Sequence, residues 1–334
     1  MRRAQARWGM RALAMSAVAM VTGVGALATV NRLIAMSAGE LYNVLGGEEG
    51  RYSWEAGSIF YTAQGRGAPL LLLHGVYAGA SSFEYRHVFE ALARDYRVYA
   101  LDLLGFGLSA RPAALYDPAL YVRLIEDFTR EVMGGADHPV SVVASGWSAA
   151  FAIAAVADRR GLFASLVLVE PTGLEAHTAT RVTLSLRLTR GLLRLPMVGE
   201  GLYNVVASRP SIRRFLARQS AASGETLTDS LVEYHYLAAH QPGARYALAS
   251  LLSGALDTSV ASAYSDLQQP ILLVWGKDSR QSPLENARAF RQANPRADIR
   301  VLPAGALPQE ETPDEFVRAV GAWLRTVSSA RRPG

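Results

Sequence analysis

The sequence contains no cysteine. Disulfide bridges, thiolate zinc sites, iron–sulfur clusters and a cysteine nucleophile are therefore all excluded. Lysine is almost absent as well, because Lys277 is the only one and every other basic side chain is an arginine. The lack of cysteine does not indicate a compartment, since a chain without thiols is tolerated in oxidising and in reducing surroundings.

Charge is sparse in the body of the chain and nearly balanced there. The net charge of the 334 residues is +5, and Arg2, Arg3, Arg7 and Arg11 supply most of it before the first acidic residue. A nearly neutral body lacks the concentrated basic surface that phosphate binding requires, so we expect no nucleic-acid partner. Half of the residues are hydrophobic, which excludes a disordered chain and is enough for a large core.

Residues 12–30, ALAMSAVAMVTGVGALATV, carry no charge and are long enough as a helix to cross the ~30 Å core of a bilayer. They predict a single transmembrane anchor after a basic tail at 1–11 and before a juxtamembrane linker at 31–50, with membrane lipid as a partner. Because arginines precede the run, the N-terminus is expected in the cytoplasm and the main domain on the outer, periplasmic or extracellular, side. The alternative is a cleaved signal peptide, whose small-residue cleavage pattern is met by ALA at 26–28.

After the linker, short apolar runs alternate with longer amphipathic runs. This alternation predicts an α/β fold whose mostly parallel sheet is covered by helices on both faces. A hairpin is predicted around Gly57, and Ser82–Arg94 is among the predicted helices. The strand pattern stops in an arginine-rich helical stretch, which predicts a cap at 173–263 inserted between two core parts, 51–172 and 264–334.

Five short segments occur in order along the two core parts: LLLLHG at 70–75, DLLGFGLS at 102–109, VVASGWSAA at 142–150, VWGKD at 274–278 and LPAGALPQEE at 302–311. In this order and spacing they resemble the α/β-hydrolase superfamily, of the type with a helical cap, over about residues 50–328. The resemblance implies that fold and a site in which a serine, a histidine and a carboxylate act together. A shared fold alone does not establish that chemistry.

The position of the nucleophile in this family falls on a glycine. With Val142 and Val143 placed at the end of the strand, Gly146 stands where the family has its serine on a tight strand-to-helix turn. Ser145 and Ser148 lie on either side of it, where a tight turn points side chains in other directions, so turn and helix-start chemistry is the favoured explanation of both. These two serines remain fallback candidates for a rearranged nucleophile.

The other two triad positions also depart from the family pattern. Ala306 stands at the position of the histidine, and no histidine follows His240. The acid position is Ser279, with Asp278 beside it, while Glu170 ends the strand on which members similar to haloalkane dehalogenases place their acid. Because a serine needs an adjacent base for activation, the departures predict a degenerate triad.

The oxyanion turn of the family is retained in the sequence. His74 and Gly75 form its His-Gly pair, and the backbone amides of Val76 and Trp147 are the expected donors. Backbone donors do not depend on the missing side chains. The resemblance therefore implies a pocket that still binds a carbonyl or carboxylate group.

Histidines and arginines mark the predicted cap. His235 and His240 are poorly spaced for two ligands on one helix face, so we expect no metal, and nothing indicates a cofactor. Either histidine has a packed structural role or enters the pocket as a replacement base. Arg187, Arg190 and Arg194 form a basic stripe that fits an anionic membrane surface or an ordinary solvated helix face.

Two functional hypotheses follow from these patterns. The first is a membrane-anchored pseudoenzyme, a non-catalytic binding or accessory protein with an apolar small molecule or a membrane protein as its candidate partner. The second is an active serine hydrolase of the esterase or lipase type, acting on a small or apolar ester. Its rearranged site would combine Ser145 or Ser148 as nucleophile with a histidine of the cap as base. Glu170 and Asp278 are the fallback acids of such a site.

Overall fold

The computed structural model describes residues 25–37, 39–174, 184–219 and 227–330, and an eight-stranded sheet forms its centre. The strands are β1 (Glu48–Trp54), β2 (Gly57–Gln64), β3 (Ala68–Leu73), β4 (Tyr96–Leu101), β5 (Val140–Ser145), β6 (Phe163–Val169), β7 (Ile271–Gly276) and β8 (Asp298–Leu302). Their order across the sheet is β1-β2-β4-β3-β5-β6-β7-β8. The pairs of β2 with β1 and β4 are antiparallel and all others are parallel. The predicted mostly parallel sheet is confirmed.

Helices account for most of the remaining described residues. They are α1 (25–37), α2 (Phe89–Leu92), α3 (Pro118–Glu131), α4 (Trp147–Asp158), α5 (Leu184–Arg194), α6 (Val198–Val206), α7 (Arg209–Gln219), α8 (Asp229–Ala239), α9 (Arg245–Leu252), α10 (Ala261–Ser265), α11 (Leu284–Ala293), α12 (Pro308–Glu311) and α13 (Pro313–Ala330). Helices α5 to α10 come between β6 and β7 in the chain, where the sequence predicts the cap.

The apolar run of β3 shows why both faces of the sheet are covered. Leu71 and Leu73 belong to the core cluster that includes residues of α3 and α4. Leu70 and Leu72 point to the other face and belong to the cluster with α2 and α13. All four side chains are fully buried, and each contributes about 1.5–3 kcal/mol by burial. A continuous leucine run, rather than an alternating one, is what a strand between two helical layers requires.

The predicted hairpin is present and extends further than the sequence pattern indicates. β1 pairs with β2 from Glu48 to Trp54, so the sheet begins inside the predicted linker 31–50. Gly57 opens β2 with a φ of +141°, and a Cβ there would lie 2.7 Å from the Cβ of Ala110. The hairpin therefore needs glycine at this turn.

The predicted helix Ser82–Arg94 is wrong. The chain forms a 3₁₀ turn, Ser82–Tyr85, and then the short helix α2. All four residues of the turn are buried, whereas a surface helix buries only one stripe of its residues. The backbone N–H of Ser82 also donates to Asp102 Oδ1 at 2.7 Å, which holds the turn against the loop after β4.

Residues of the predicted linker pack on the cap. Asn31 of α1 donates to the carbonyl of Met197 at 2.8 Å and accepts from Asn204 of α6 at 3.0 Å. Leu41 lies in a small apolar cluster with Tyr234 of α8. The segment after the predicted anchor is thus fixed to the cap helices by specific contacts.

The predicted anchor, 12–30, lies largely outside the described residues. Its last residues, from 25 onward, begin helix α1. Within the described ranges, no helix combines the length and the apolar character needed to cross a membrane. The anchor therefore stays a prediction.

Candidate functional site

The turn between β5 and α4 has the geometry that presents a nucleophile, and it carries a glycine. Gly146 has φ +56° and ψ −118° and directly precedes the first residue of α4. Its backbone N–H donates to the carbonyl of Val169 at 2.9 Å, which fixes the turn against β6. A Cβ built on Gly146 would meet no atom within 4 Å, and the residue lines a cavity of about 450 Å³. A side chain at position 146 would therefore project into open space at the cavity, and the glycine supplies none.

The two neighbouring serines are engaged elsewhere. Ser148 is fully buried, and its Oγ donates to the backbone carbonyl of His74 at 2.5 Å, which ties α4 to the loop after β3. Ser145 lines the cavity, but its side chain is hydrogen-bonded to the buried carboxyl of Glu84. Ser148 thus has a structural role, and Ser145 is the fallback serine that reaches the cavity.

The oxyanion turn is held by buried contacts. His74 is fully buried; its Nε2 accepts from the backbone N–H of Leu103 at 3.1 Å, and its Nδ1 donates to the carbonyl of Gly75 at 2.6 Å. Burial lowers the pKa of His74, which keeps the ring neutral in these two roles. Val76 and Trp147 both line the cavity, as expected of residues whose amides receive a ligand oxygen.

A buried carboxyl that sequence analysis missed lies directly behind this turn. Glu84 accepts from Gly75 N at 2.8 Å and from Gln309 Nε2 at 2.7 Å, in addition to its bond with Ser145. It therefore joins the oxyanion turn, the nucleophile turn and α12. Burial raises the pKa of Glu84 to about 7, and nearby Glu310 adds to the shift. One feature of the sequence could have indicated a buried role for Glu84. It lies between two large aromatic residues, Phe83 and Tyr85, and shortly after the His-Gly pair.

The position of the family histidine also faces the cavity. Ala306 lines it, and its backbone N–H donates to the carbonyl of Gln219 at 3.1 Å. The preceding Gly305 donates to Glu311 Oε2 at 3.0 Å. The loop after β8 thus has the place of a histidine loop but presents only a methyl group.

Two residues that sequence analysis connected with the acid of the triad, Glu170 after β6 and Ser279 after β7, are hydrogen-bonded to each other. Glu170, at the end of β6, accepts from Gly276 N at 3.1 Å and from Ser279 Oγ at 2.8 Å. It lines the cavity and has a φ of 43°, a backbone strain that functional sites often hold. Burial raises the pKa of Glu170 to about 8. Asp278 is exposed and does not line the cavity, so Glu170 is the acid that faces it.

Glu170 predicts how stability depends on pH. Its pKa in the folded protein lies above its usual 4.5, so the folded state binds this proton more tightly than the unfolded state. The free energy of unfolding should therefore fall as the pH rises from about 5 to about 8. In E170Q the ionisable group is gone, while the amide oxygen still accepts from Ser279 Oγ. We therefore expect the fall in the free energy of unfolding across that range to be smaller than in wild type, by an amount on the order of a few kcal/mol in urea titrations.

The matched control is E285Q, which removes an exposed glutamate at the start of α11. It should follow the wild-type pH dependence. Equal pH dependence in E170Q and wild type would show that the Glu170 carboxyl ionises in the folded protein as it does in the unfolded chain.

The cap histidines do not line the main cavity. His235 is buried, and its Nδ1 lies 3.1 Å from the carbonyl of Gly79. His240 stacks on Tyr236 and lines a second cavity, between α1 and the cap. Burial lowers the pKa of both histidines. The rearranged set of fallback serines, cap histidines and acids is therefore not assembled within the described residues.

The main cavity has one apolar and one polar wall. Aromatic and aliphatic side chains, among them Tyr77, Phe215, Leu251 and Phe290, face the polar groups at the strand ends. Within the described part of the chain, no three His, Asp or Glu side chains are grouped as a metal site. The arrangement provides backbone donors, a buried acid and apolar packing for an organic molecule.

Comparisons with known proteins agree with this fold. A profile of the Alpha/beta hydrolase family matches residues 70–319. A 2-hydroxy-6-oxo-6-(2'-aminophenyl)hexa-2,4-dienoic acid hydrolase of Metapseudomonas resinovorans is 27% identical over 274 residues, covering 79% of this chain and 86% of the relative. Haloalkane dehalogenase 2 of Mycobacterium tuberculosis is 29% identical over 280 residues, covering 79% and 90%.

Solved structures show the same similarity. A serine hydrolase involved in carbazole degradation has a TM-score of 0.68 and 24% identity, covering 84% of this chain and 100% of that chain. The family profile spans most of the sequence, from the strand before the oxyanion turn to the last helix. The chain belongs to the α/β hydrolase family.

Proposed function

We propose that the protein binds a small organic carbonyl compound in the main cavity and forms no acyl-serine intermediate. The observation that carries the proposal is the pair Gly146 and Ala306, which leaves the nucleophile turn and the histidine loop without their reacting groups. Neither position is displaced, since both line the same cavity. The site has lost its reacting side chains and kept its shape.

The remaining groups suit a carbonyl oxygen. The amides of Val76 and Trp147 form no hydrogen bond with the described residues, and an acceptor placed between them would satisfy both. Glu170, with a pKa of about 8, carries its proton at neutral pH and supplies a neutral polar surface nearby. The aromatic wall then packs the apolar part of the ligand.

Hydrolysis is the second candidate function, and the relatives favour it over a role in binding alone. Those reported above are named as hydrolases and a dehalogenase. In this chain Ser145 and Glu170 are the two groups from the rearranged-site hypothesis that reach the cavity. Such an activity would use a serine whose side chain is hydrogen-bonded to the carboxyl of Glu84 rather than to a histidine.

Covalent labelling separates the two functions. We expect a fluorophosphonate probe to leave the purified full chain unlabelled, because no serine of the described site contacts a base of histidine type. Heat-denatured protein is the control for non-specific labelling, and mass spectrometry locates any adduct. Specific labelling at Ser145, lost in S145A together with hydrolysis of p-nitrophenyl butyrate, would establish the hydrolase instead.

Binding is measured through Trp147, which lines the cavity. We expect benzylacetone to change the tryptophan fluorescence of the full chain and butylbenzene, which lacks the carbonyl, to bind at least about tenfold more weakly, equal to about 1.4 kcal/mol. The signal should disappear in W147F. In A306F the added ring would project into the cavity and weaken binding. Equal affinity for the two compounds would contradict recognition of the carbonyl.

We also propose that residues 12–30 anchor the protein with its N-terminus in the cytoplasm. The support is the uncharged run and the arginines before it. Alkaline extraction of membranes from cells that express the full chain tests the anchor. Recovery of a shortened chain that begins near residue 29 would favour the cleaved signal peptide.

A further inference from the structure

Large apolar side chains are exposed on one part of the cap. Most of those in the described chain lie in two segments, 25–37 and 184–206. They are Val30, Leu33 and Met36 of α1, Leu188 and Leu192 of α5, and Leu195, Met197, Val198, Leu202, Val205 and Val206 of the following turn and α6. Met36 is 72% exposed and Val205 is 69% exposed. Clustering on this scale differs from the scattered exposure that a soluble surface shows.

The two segments are packed against each other. Asn31 of α1 is bonded to Met197 and to Asn204. Leu27 lies so close over Gly201 that a Cβ there would be 2.8 Å from Leu27 Cδ1. The exposed side chains of α6 recur at helical spacing, while Tyr203 on the opposite side is buried. Helices α1, α5 and α6 therefore form one surface, which we call the apolar cap face.

Basic residues outnumber acidic ones in the two segments, which contain four arginines and one glutamate. Arg32 is exposed on α1, whereas Arg194 donates to the carbonyls of Ala113 and Ala114. The glutamate, Glu200, is paired with Arg245 of the neighbouring helix at 3.5 Å. An apolar surface edged by arginine matches the interface of a bilayer that contains anionic lipid. Two copies of the same face would instead bring like charges together.

The order of the segments along the chain also indicates a lipid bilayer as the partner of this face. The uncharged residues 12–24 run directly into the N-terminus of α1, which lies on this face. We propose that the apolar cap face rests in the interface of a lipid bilayer, with the side chains of α1, α5 and α6 at the level of the upper acyl chains. This contact is separate from the predicted anchor and determines the orientation of the domain on the membrane. It is also independent of what binds in the main cavity.

The absence of cysteine makes the test direct. Single substitutions L33C and V205C on the face, and V301C on the edge strand β8 as a control of similar polarity, are labelled with bimane in the full chain. Each protein is reconstituted in phosphatidylcholine vesicles with a quarter of phosphatidylglycerol and with lipids that carry a nitroxide on the acyl chain. We expect nitroxide quenching at positions 33 and 205 to exceed that at 301 by about twofold or more, since quenching requires contact at acyl-chain depth.

Two results would overturn the proposal. One is quenching at 33 and 205 no greater than at 301. The other is excimer formation by pyrene at position 205 that grows with protein density without nitroxide quenching, which would assign the face to a second copy. As a further check, L202D and V206D together place charge on the face without touching the cavity. They should reduce quenching at 205 and leave benzylacetone binding unchanged.

Discussion

Restoring two side chains should restore covalent chemistry at the retained turn. We expect the double variant G146S/A306H to react with a fluorophosphonate at residue 146 and to hydrolyse p-nitrophenyl butyrate at least about 10²-fold faster than wild type. A serine Oγ at 146 would project into open space. A histidine at 306 would enter the same cavity. Val76 and Trp147, whose amides are the proposed oxyanion donors, line that cavity as well.

Glu170 would be the acid of such a triad in assays above pH 8, where its carboxyl, with a pKa of about 8, is ionised. Its carboxyl bonds to Gly276 N, and Gly276 packs so tightly on the loop before Ala306 that a Cβ would lie 1.7 Å from Gly305 O. A histidine at 306 thus comes next to the Glu170 region. We expect G146S alone to gain far less than the double variant, because the serine then has no base.

A serine at position 146 should lower the free energy of unfolding, and this loss defines the control variant. A residue with a Cβ at φ +56° is strained by about 1–3 kcal/mol, and G146A carries the same strain without a hydroxyl. Both single variants should lower the free energy of unfolding equally in urea titrations, while G146A/A306H should stay unlabelled. A double variant that folds and remains inert would show that the turn, although retained, does not hold the serine in a reactive orientation.

The order of the core elements could be predicted from the sequence because it depends on local patterns. The leucine run of β3 and the amphipathic repeat of α3 each indicate their element without knowledge of the rest. The turn at Ser82–Tyr85 could not be predicted from the sequence, because it depends on a residue of a different loop. That residue, Asp102, accepts a hydrogen bond from the N–H of Ser82. Tertiary contacts of this kind override helical spacing.

Some residues of the candidate site could likewise be predicted from the sequence, and others could not. Gly146 and Ala306 could be located from their flanking segments, since each lies at a fixed distance from a strand end. Glu84 could not, because its role comes from three partners that are far apart in sequence. The hydrogen bond between Ser279 and Glu170 could not be predicted either, because it depends on the pairing of β6 with β7 in the sheet. Sequence patterns thus located the positions that depart from the family pattern, and only the fold showed which buried contacts hold the cavity around them.

Glu84 supports the shape of that cavity by hydrogen bonds to three separate segments of the chain. We expect E84A to lower the free energy of unfolding by about 3–5 kcal/mol, because it leaves the buried donors of Gly75, Ser145 and Gln309 without their acceptor. E84Q retains one acceptor oxygen and the side-chain volume, so its loss should be smaller. Urea titrations at pH 6, where the Glu84 carboxyl with its pKa of about 7 is mostly neutral, give the cleanest comparison.

Ligand binding separates a positioning role from simple support of the fold. Glu84 holds Gly75 next to the Val76 amide, so E84Q should weaken benzylacetone binding while affinity for butylbenzene, which needs no amide, stays the same. S145A removes one of the three partners and should show a smaller loss of the same kind. Equal weakening of both compounds would mean that Glu84 only stabilises the fold. A loss confined to the carbonyl compound would show that a buried carboxyl, one layer behind the cavity, keeps the proposed oxyanion donors aligned.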